Sequence, residues 1–227
     1  MIRGAPIGKR FEHCTFENFE VTDENRDAYQ ACLRLAADGD VGVLIRGKNG
    51  LGKTHLLVAT MKEYDERRSR AATTPDENVA LAGVPSASEM IRLARGEDSM
   101  DASTPSLAPD EIDAQCHIEY WPLLDLTSEL RAEISRGSLE VSKRCRECDL
   151  LVLDDFGAER ATDFAVEELE RIVDWRYRAM KPTAVATNLD FKRITMKYGQ
   201  RAMSRWMASC EVVGVFGEDR RASMEPS

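Results

Sequence analysis

The chain has 227 residues, of which 43% are hydrophobic and 31% are charged, as in soluble globular proteins of one large or two small domains. No apolar run is long enough to span a membrane, and the first residues lack the apolar core of a secretory signal, so we expect a cytoplasmic protein. The formal net charge of −9 argues against a uniformly basic surface for nucleic acid.

The charge is unevenly distributed along the chain. Residues 71–115 contain nine acidic residues and only two arginines, whereas residues 171–227 contain eleven Lys or Arg against six Asp or Glu. A local basic face for DNA or nucleotide is therefore compatible with the acidic total. An ordinary solvated surface is an equally good interpretation of the charge alone.

The first elements in chain order are a helix, a strand and a second helix. The first helix is predicted to begin at Thr22 or Asp23 and to end before Gly39. The short apolar run at 41–46 leads into a glycine, which is typical of a buried strand. Residues 53–69 repeat apolar side chains at helical spacing, so a second helix is predicted there.

Residues 71–115 interrupt this alternation. They are rich in Ala, Ser, Thr, Pro, Asp and Glu, and they predict one short helix with Ser86 and Glu89 as a capping box. A connection of this length exceeds ordinary loops, so we expect a mobile acidic insertion. It is either a tolerated surface insertion or a docking element for a partner.

The rest of the chain alternates strands with helices. Strands are predicted at 116–121, 150–153, 183–187 and 211–216, and helices at 123–137, 161–180 and 191–209. Apolar strands that alternate with helices indicate an α/β protein with a parallel sheet covered on both faces.

Cys145 and Cys148 form a CxxC pair just before a predicted strand. One such pair supplies only two of the four ligands of a structural zinc site, and a redox pair would open a helix after a strand. We interpret them as two small residues on a helix or at its end.

A glycine-rich loop follows the strand at 41–46 and matches the pattern G-x-x-x-x-G-K-[ST]. Glycines allow backbone N–H groups to curl around phosphates, and the helix N-terminus adds positive charge. In this pattern Lys53 reaches the β- and γ-phosphates and Thr54 is a ligand of Mg²⁺. The predicted nucleotide-binding residues of this loop are Gly47, Lys48, Asn49, Gly50, Leu51, Gly52, Lys53, Thr54 and His55.

Two carboxylates follow the strand at 150–153, where parallel strands present their carboxyl ends to a ligand. Asp154 is the predicted second ligand of Mg²⁺, and Asp155 would orient the attacking water. A second acid after a strand is often only solvated, so that interpretation of Asp155 stays open. Asn188 ends the next strand and is either a contact of the γ-phosphate or a turn residue.

Arginines near the C-terminus are candidates for the positive charge that phosphoryl transfer needs. They are Arg201, Arg205, Arg220 and Arg221.

Taken in order, the P-loop, the Asp-Asp strand, the Thr-Asn strand end, "GQRAMSRW" and "GEDRR" resemble the AAA+ ATPases of the DnaC/IstB type. These are helicase loaders and helper ATPases of transposons. "RFEHCTFENFEV" (10–21) resembles the entry segment of that family, which lies near the adenine. The similarity covers about 10–70 and 116–221.

The resemblance implies a P-loop AAA+ fold with a five-stranded parallel sheet of order 5-1-4-3-2. It implies ATP and Mg²⁺ as ligands, a homo-oligomer with the nucleotide between subunits, and binding of single-stranded DNA. Asn188 would be sensor I and Arg201 the arginine finger that reaches the ATP of a neighbouring subunit. Arg221 would be sensor II, with Arg220 as the alternative.

The expected organisation is an N-terminal arm and entry segment at 1–21, an AAA+ domain at 22–221 and a tail at 222–227. About nine residues precede the matched segment, so we expect the separate helicase-binding domain of helicase loaders to be absent.

Three functions fit these residues. The first is a DnaC-like ATPase of DNA replication with a replicative helicase as partner, and the second is a transposition helper with a transposase as partner. The third is an adaptor gated by nucleotide with little hydrolysis, because Asp155 is one methylene shorter than the Glu of many related ATPases. A small-molecule kinase is disfavoured because residues 71–115 lack the Lys and Arg of a phosphate-clamping lid.

Overall fold

The computed structural model describes residues 1–73, 116–157 and 163–219, and in these residues six parallel strands form one sheet. The strands are β1 (Ile2–Gly4), β2 (Gly42–Arg46), β3 (Ile118–Pro122), β4 (Leu150–Phe156), β5 (Thr183–Thr187) and β6 (Cys210–Gly214). The helices are α1 (Arg26–Asp38), α2 (Lys53–Thr73), α3 (Leu123–Ser135), α4 (Glu140–Glu147), α5 (Asp163–Arg178) and α6 (Phe191–Ser209).

The strand order is β1-β3-β4-β5-β2-β6. The five predicted strands keep the expected order 5-1-4-3-2 among themselves, but the predicted count of five is wrong, because β1 adds a sixth strand beside β3. Its three residues are too few to show a period of two in the sequence. Backbone hydrogen bonds from Ala5 N–H to Tyr120 O (2.9 Å) and from Ile118 N–H to Met1 O (3.0 Å) extend the pairing.

The core lies on both faces of the sheet. Along β4, Leu150 and Val152 pack into the cluster under α1 and α2, whereas Leu151 and Leu153 pack into the cluster under α3 to α6. Successive side chains of a strand point to opposite faces, so a strand covered on both sides must be apolar at every position. The α/β fold class with a doubly covered parallel sheet is confirmed.

Helix α1 begins at Arg26, later than predicted. The Thr22 N–H donates to Asn25 Oδ1 (2.9 Å), and Asn25 Nδ2 donates to Glu20 O (3.1 Å), so this side chain closes the preceding turns. The predicted end is confirmed, because Gly39 adopts the left-handed conformation with φ of 73°.

Other boundaries also differ from the predictions. Helix α2 continues to Thr73, and β4 continues through both aspartates to Phe156. Helix α6 is interrupted at Gly199, where φ is 83° and ψ is 158°, so its two halves are separate helical segments. The expected insertion at 71–115 begins within α2, and its predicted short helix lies outside the described residues.

Cys145 lies in α4 and Cys148 directly follows it, so the interpretation as small residues at a helix end is confirmed. Burial raises the pKa of both thiols. The buried Arg176 guanidinium donates to the Cys145, Arg146 and Cys148 carbonyl oxygens at 2.9–3.1 Å, which neutralises the end of α4. Within the described ranges no group of three His, Cys, Asp or Glu side chains could hold a metal ion.

Among the helices of the described residues, none has both the length and the apolar character that crossing a bilayer requires.

Candidate nucleotide-binding site

The P-loop connects β2 to α2 at the carboxyl edge of the sheet. Gly50 and Gly52 have φ of 77° and 83°, a region that side chains with a Cβ rarely adopt. Gly47 donates its N–H to Thr187 O (3.1 Å), and a Cβ at Gly47 would collide with the Val215 carbonyl. The glycines of the motif are therefore required both by backbone conformation and by close neighbours.

Lys53 is the first residue of α2 and its side chain is buried. Its Nζ donates to Lys48 O across the loop at 2.6 Å. This contact holds the amine inside the loop that carries the backbone N–H groups, which is where the motif places it relative to phosphate.

Asp154 is buried with 4% of its surface exposed. Its Oδ1 accepts the Asp155 N–H (2.9 Å), its Oδ2 accepts the Tyr120 hydroxyl (3.3 Å), and the Thr54 side chain interacts with the carboxylate. Burial, followed by the neighbouring Asp155 charge, raises the pKa of Asp154. Burial also raises the pKa of the Tyr120 hydroxyl, and the Asp154 charge adds to this effect.

This arrangement fits a magnesium ion. Mg²⁺ prefers oxygen ligands and is usually held by one or two protein groups together with water and substrate phosphates. Thr54 and Asp154 supply an interacting hydroxyl and carboxylate next to the P-loop. A bound divalent cation would also stabilise the negative charge of the Asp154 carboxylate, which burial and the Asp155 charge disfavour.

Asp155 is exposed, and its φ of 48° places it in the left-handed region. The pairing of β4 with β5 shifts register between Leu153 and Phe156, so the two aspartates lie at a bulge. Bulges reorient side chains at strand ends. Asp155 consequently projects into the cavity next to the P-loop.

Asn188 directly follows β5, and its Nδ2 donates to Asn49 Oδ1 of the P-loop at 3.4 Å. Two predicted site residues from separate parts of the sequence are therefore in contact. β5 lies between β2 and β4 in the sheet, which is why the end of β5 lies between the P-loop and the aspartates.

The cavity beside the P-loop has a volume of about 530 Å³. Its second wall is the entry segment at 10–21, which contributes Phe19 among others. The Phe19 ring lies 5.0 Å from the His55 ring between centroids, and a Cβ at Gly52 would lie 2.9 Å from it. His55 also forms a 2.8 Å hydrogen bond with Thr15 O, so the entry segment is fastened to the start of α2.

Arg201 lies elsewhere, in a groove between α5 and α6 that does not include the P-loop. The groove has a volume of about 560 Å³ and is lined by Tyr177, Gln200, Arg201, Ser204, Arg205 and Ala208. Arg201 is exposed, whereas Arg205 forms an ion pair with Asp174. Arg220 and Arg221 lie outside the described residues.

Three contacts of the site were not predicted. Tyr120 bonds to Asp154 from the neighbouring strand, Lys197 bonds to Gly157 O (2.7 Å), and the Asp219 carboxylate lies where a Cβ of Gly50 would be. Tyr120 could have been found, because two strands predicted to be neighbours in the sheet carry both residues. The other two contacts join segments with no sequence signal that relates them.

A family model of the bacterial DnaA ATPase domain matches residues 11–74. The uncharacterised protein YqaM of Bacillus subtilis (strain 168) is 21% identical over 210 residues, which is 86% of this chain and 52% of YqaM. The chromosomal replication initiator DnaA of Spiroplasma citri is 44% identical over 61 residues, which is 25% of this chain and 13% of that protein. The chain therefore spans about half or less of the length of these relatives.

The similarity to solved structures extends over a larger part of the chain. The DnaC helicase loader has a TM-score of 0.65 at 19% identity and covers 92% of this chain and 99% of its own. DnaI has a TM-score of 0.65 at 17% identity, covering 95% and 97%. The replication initiator DnaA bound to AMPPCP and single-stranded DNA has a TM-score of 0.61 at 20% identity, covering 90% and 50%.

The fold and the P-loop define the class: the chain has the α/β fold of the P-loop NTPases. Within that class it has the AAA+ fold that DnaC, DnaI and DnaA share. The predicted resemblance to AAA+ ATPases of the DnaC type is confirmed, and it rests on the fold of most of the chain and on the P-loop segment at 11–74.

Proposed function

We propose that this protein is an ATP-binding and ATP-hydrolysing AAA+ protein that acts in DNA replication in the manner of a DnaC-type helicase loader. The observation that carries the proposal is the convergence at one sheet edge of the P-loop lysine, two aspartates and the strand-end asparagine. These residues come from the ends of three adjacent strands, β2, β5 and β4. They supply the groups that phosphoryl transfer requires.

In this proposal the P-loop N–H groups and Lys53 bind the phosphates of ATP. The Lys53 amine donates to Lys48 O in the chain alone, and a β- or γ-phosphate oxygen is a stronger acceptor because it is charged. Phosphate binding therefore replaces a neutral hydrogen-bond partner by an anionic one. Thr54 and Asp154 would hold Mg²⁺, and the bound ion would neutralise charge on the phosphates.

Asp155 and Asn188 act on the attacking water. The Asp155 carboxylate is exposed toward the cavity, where it can accept a hydrogen bond from the water that attacks the γ-phosphorus. Asn188, held beside Asn49, can orient that water or the γ-phosphate. The products are ADP and inorganic phosphate, and the proton of the water leaves through Asp155.

Arg201 acts on a second copy of the chain. It is exposed and lines a groove separate from the P-loop cavity, so a positive charge for the transition state comes from a neighbouring subunit in a homo-oligomer. Arg221 contacts the nucleotide within its own subunit as sensor II, with Arg220 as the alternative. The ATPase domain spans 22–221 in this proposal.

Single-stranded DNA and a replicative helicase are the proposed partners, in the cytoplasm. The similarity to DnaA bound to AMPPCP and single-stranded DNA and to the DnaC helicase loader supports this choice. The excess of Lys and Arg over residues 171–227 provides positive charge for the phosphate backbone.

A steady-state ATPase assay with and without single-stranded DNA tests the proposal, with Lys53→Ala as the control for background turnover. We expect turnover above the control and stimulation by DNA. Turnover equal to Lys53→Ala, with nucleotide still bound by the unmodified protein, would favour the adaptor gated by nucleotide. Capture of a transposase rather than a helicase by the tagged protein in ATP would favour the transposition helper.

A further inference from the structure

Asp155 has a backbone conformation that other contacts must maintain. Its φ of 48° is in the left-handed region, which residues with a Cβ adopt rarely and Asp more often than most. Such conformations persist only where the surrounding structure fixes them. The contacts that fix this one determine where the Asp155 carboxylate points.

On the N-terminal side, the Asp155 N–H is held by Asp154 Oδ1 at 2.9 Å. On the C-terminal side, the Phe156 carbonyl accepts the Thr187 hydroxyl at 2.6 Å, and Thr187 is fully buried. The residue before Asn188 thus anchors the residue after Asp155.

Further contacts to this turn come from α6. The Phe156 ring lies 4.4 Å from the Tyr198 ring and 4.5 Å from the Trp206 ring between centroids. The next carbonyl, that of Gly157, accepts a hydrogen bond from Lys197 Nζ at 2.7 Å. A charged donor to a carbonyl is among the stronger hydrogen bonds in proteins, so this contact restrains the turn that follows Asp155.

The break at Gly199 divides α6 into two segments whose side chains lie in different places. Lys197 and Tyr198 precede the break and hold the end of β4, whereas Arg201 follows the break and lies in the exposed groove. Trp206 belongs to the second half and contacts Phe156 as well. Both halves of the helix therefore meet at the residue next to Asp155.

We propose that Lys197 is a positioning residue that fixes the Gly157 turn and thereby the direction of the Asp155 carboxylate. Through α6 this connection links the catalytic end of β4 in one subunit to the segment that presents Arg201 to the next. The expected effect of Lys197 on turnover rests on the proposed ATP hydrolysis, whereas its expected effect on the Gly157 turn does not.

The kinetic test compares Lys197→Met, Lys197→Arg and the matched control Lys192→Met, which removes an exposed lysine from the same helix. Lys197→Met keeps the length of the side chain but not its donor, so we expect turnover to fall about tenfold. ATP affinity should stay unchanged, because Lys197 is not among the residues that line the P-loop cavity. Lys197→Arg, which can still donate to a carbonyl, should restore most of the turnover. An equal loss of turnover in Lys192→Met would contradict the assignment.

Amide hydrogen exchange provides the readout that needs no hydrolysis. Loss of the Lys197 contact should accelerate exchange of residues 155–157 about tenfold, while residues 47–55 of the P-loop exchange at the rate of the unmodified protein. Unchanged exchange at 155–157 would overturn the role of Lys197, whatever the ATPase assay shows. If exchange accelerates in Lys197→Met but the unmodified protein has no ATPase activity, the positioning role of Lys197 is supported and the proposed hydrolysis is refuted.

Discussion

The P-loop cavity and the Arg201 groove differ in how completely this chain builds them. The cavity is lined by the P-loop after β2, by Asp155 of β4 and by the entry segment, and both Lys53 and the neighbouring Asp154 are buried. The groove is formed by α5 and α6 alone, and Arg201 is exposed in it. A phosphate site enclosed by the chain, together with an exposed arginine in a separate groove, is the pattern expected when one subunit provides the nucleotide site and another provides the charge.

The largest effect is expected at the buried aspartate beside the P-loop cavity. Asp154→Asn removes a proposed ligand of Mg²⁺, so steady-state turnover should fall to the level of Lys53→Ala. Burial and Asp155 raise the pKa of Asp154, which means that the folded state disfavours its charge at neutral pH. The neutral amide should therefore raise the free energy of unfolding, measured by urea denaturation without nucleotide. A less stable Asp154→Asn protein would contradict this account of the carboxylate.

The second largest effect is expected in the Arg201 groove. Arg201→Ala should keep the ATP affinity of the unmodified protein and lose on the order of 10³-fold in turnover, because the arginine contributes only in the transition state. Titration with a fluorescent ATP analogue and the ATPase assay separate these two quantities. Arg205→Ala is the comparison, since Arg205 is already paired with Asp174. Loss of turnover in Arg205→Ala and not in Arg201→Ala would assign the arginine finger to Arg205 instead.

A smaller effect is expected where the two regions are joined. Gly199→Ala places a Cβ at φ of 83°, which should cost about 1–2 kcal/mol of folding free energy. The matched substitution Ser204→Ala, in the same helix but after the break, should change stability by less than about 0.5 kcal/mol. Thermal unfolding of the two variants measures the difference. Equal stability would show that the break in α6 is not maintained in solution.

The smallest effect is expected at Tyr120. Tyr120→Phe removes one 3.3 Å hydrogen bond to Asp154 and leaves the Thr54 and Asp155 contacts in place. We expect the Mg²⁺ concentration for half-maximal turnover to change by roughly fivefold, with little change in maximal turnover. A loss of maximal turnover as large as that of Asp154→Asn would mean that Tyr120 has a direct role in the reaction.

The features of the fold that were predicted correctly share one property, which is that their signal in the sequence is local. The P-loop motif requires glycines at fixed spacing, and an apolar strand that leads into an aspartate predicts a side chain at the sheet edge. The five strands of the predicted sheet were recognisable because burial on both faces makes them apolar throughout, as in β4. Asn188 could be placed beside the P-loop only with the strand order that the resemblance implied.

The features that were missed depend on contacts between distant segments. The strand β1 is defined by pairing with β3, more than a hundred residues later in the sequence. The start of α1 depends on the Asn25 side chain, which closes the preceding turns in competition with the helix. Lys197 resembles any surface lysine in the sequence, because only the fold brings it to the carbonyl of Gly157. The direction of Asp155 likewise follows from a bulge that the apolar pattern of β4 does not show.

The central claim is that the two regions form one active site across two subunits. Its most direct test is to mix Asp154→Asn, which lacks a working P-loop site, with Arg201→Ala, which lacks the finger, and to measure ATPase turnover over a range of ratios. If the site is shared, the mixture should regain part of the turnover, because Asp154→Asn subunits supply Arg201 to intact P-loops. A mixture that stays inactive at every ratio, although the two variants co-assemble, would contradict the claim.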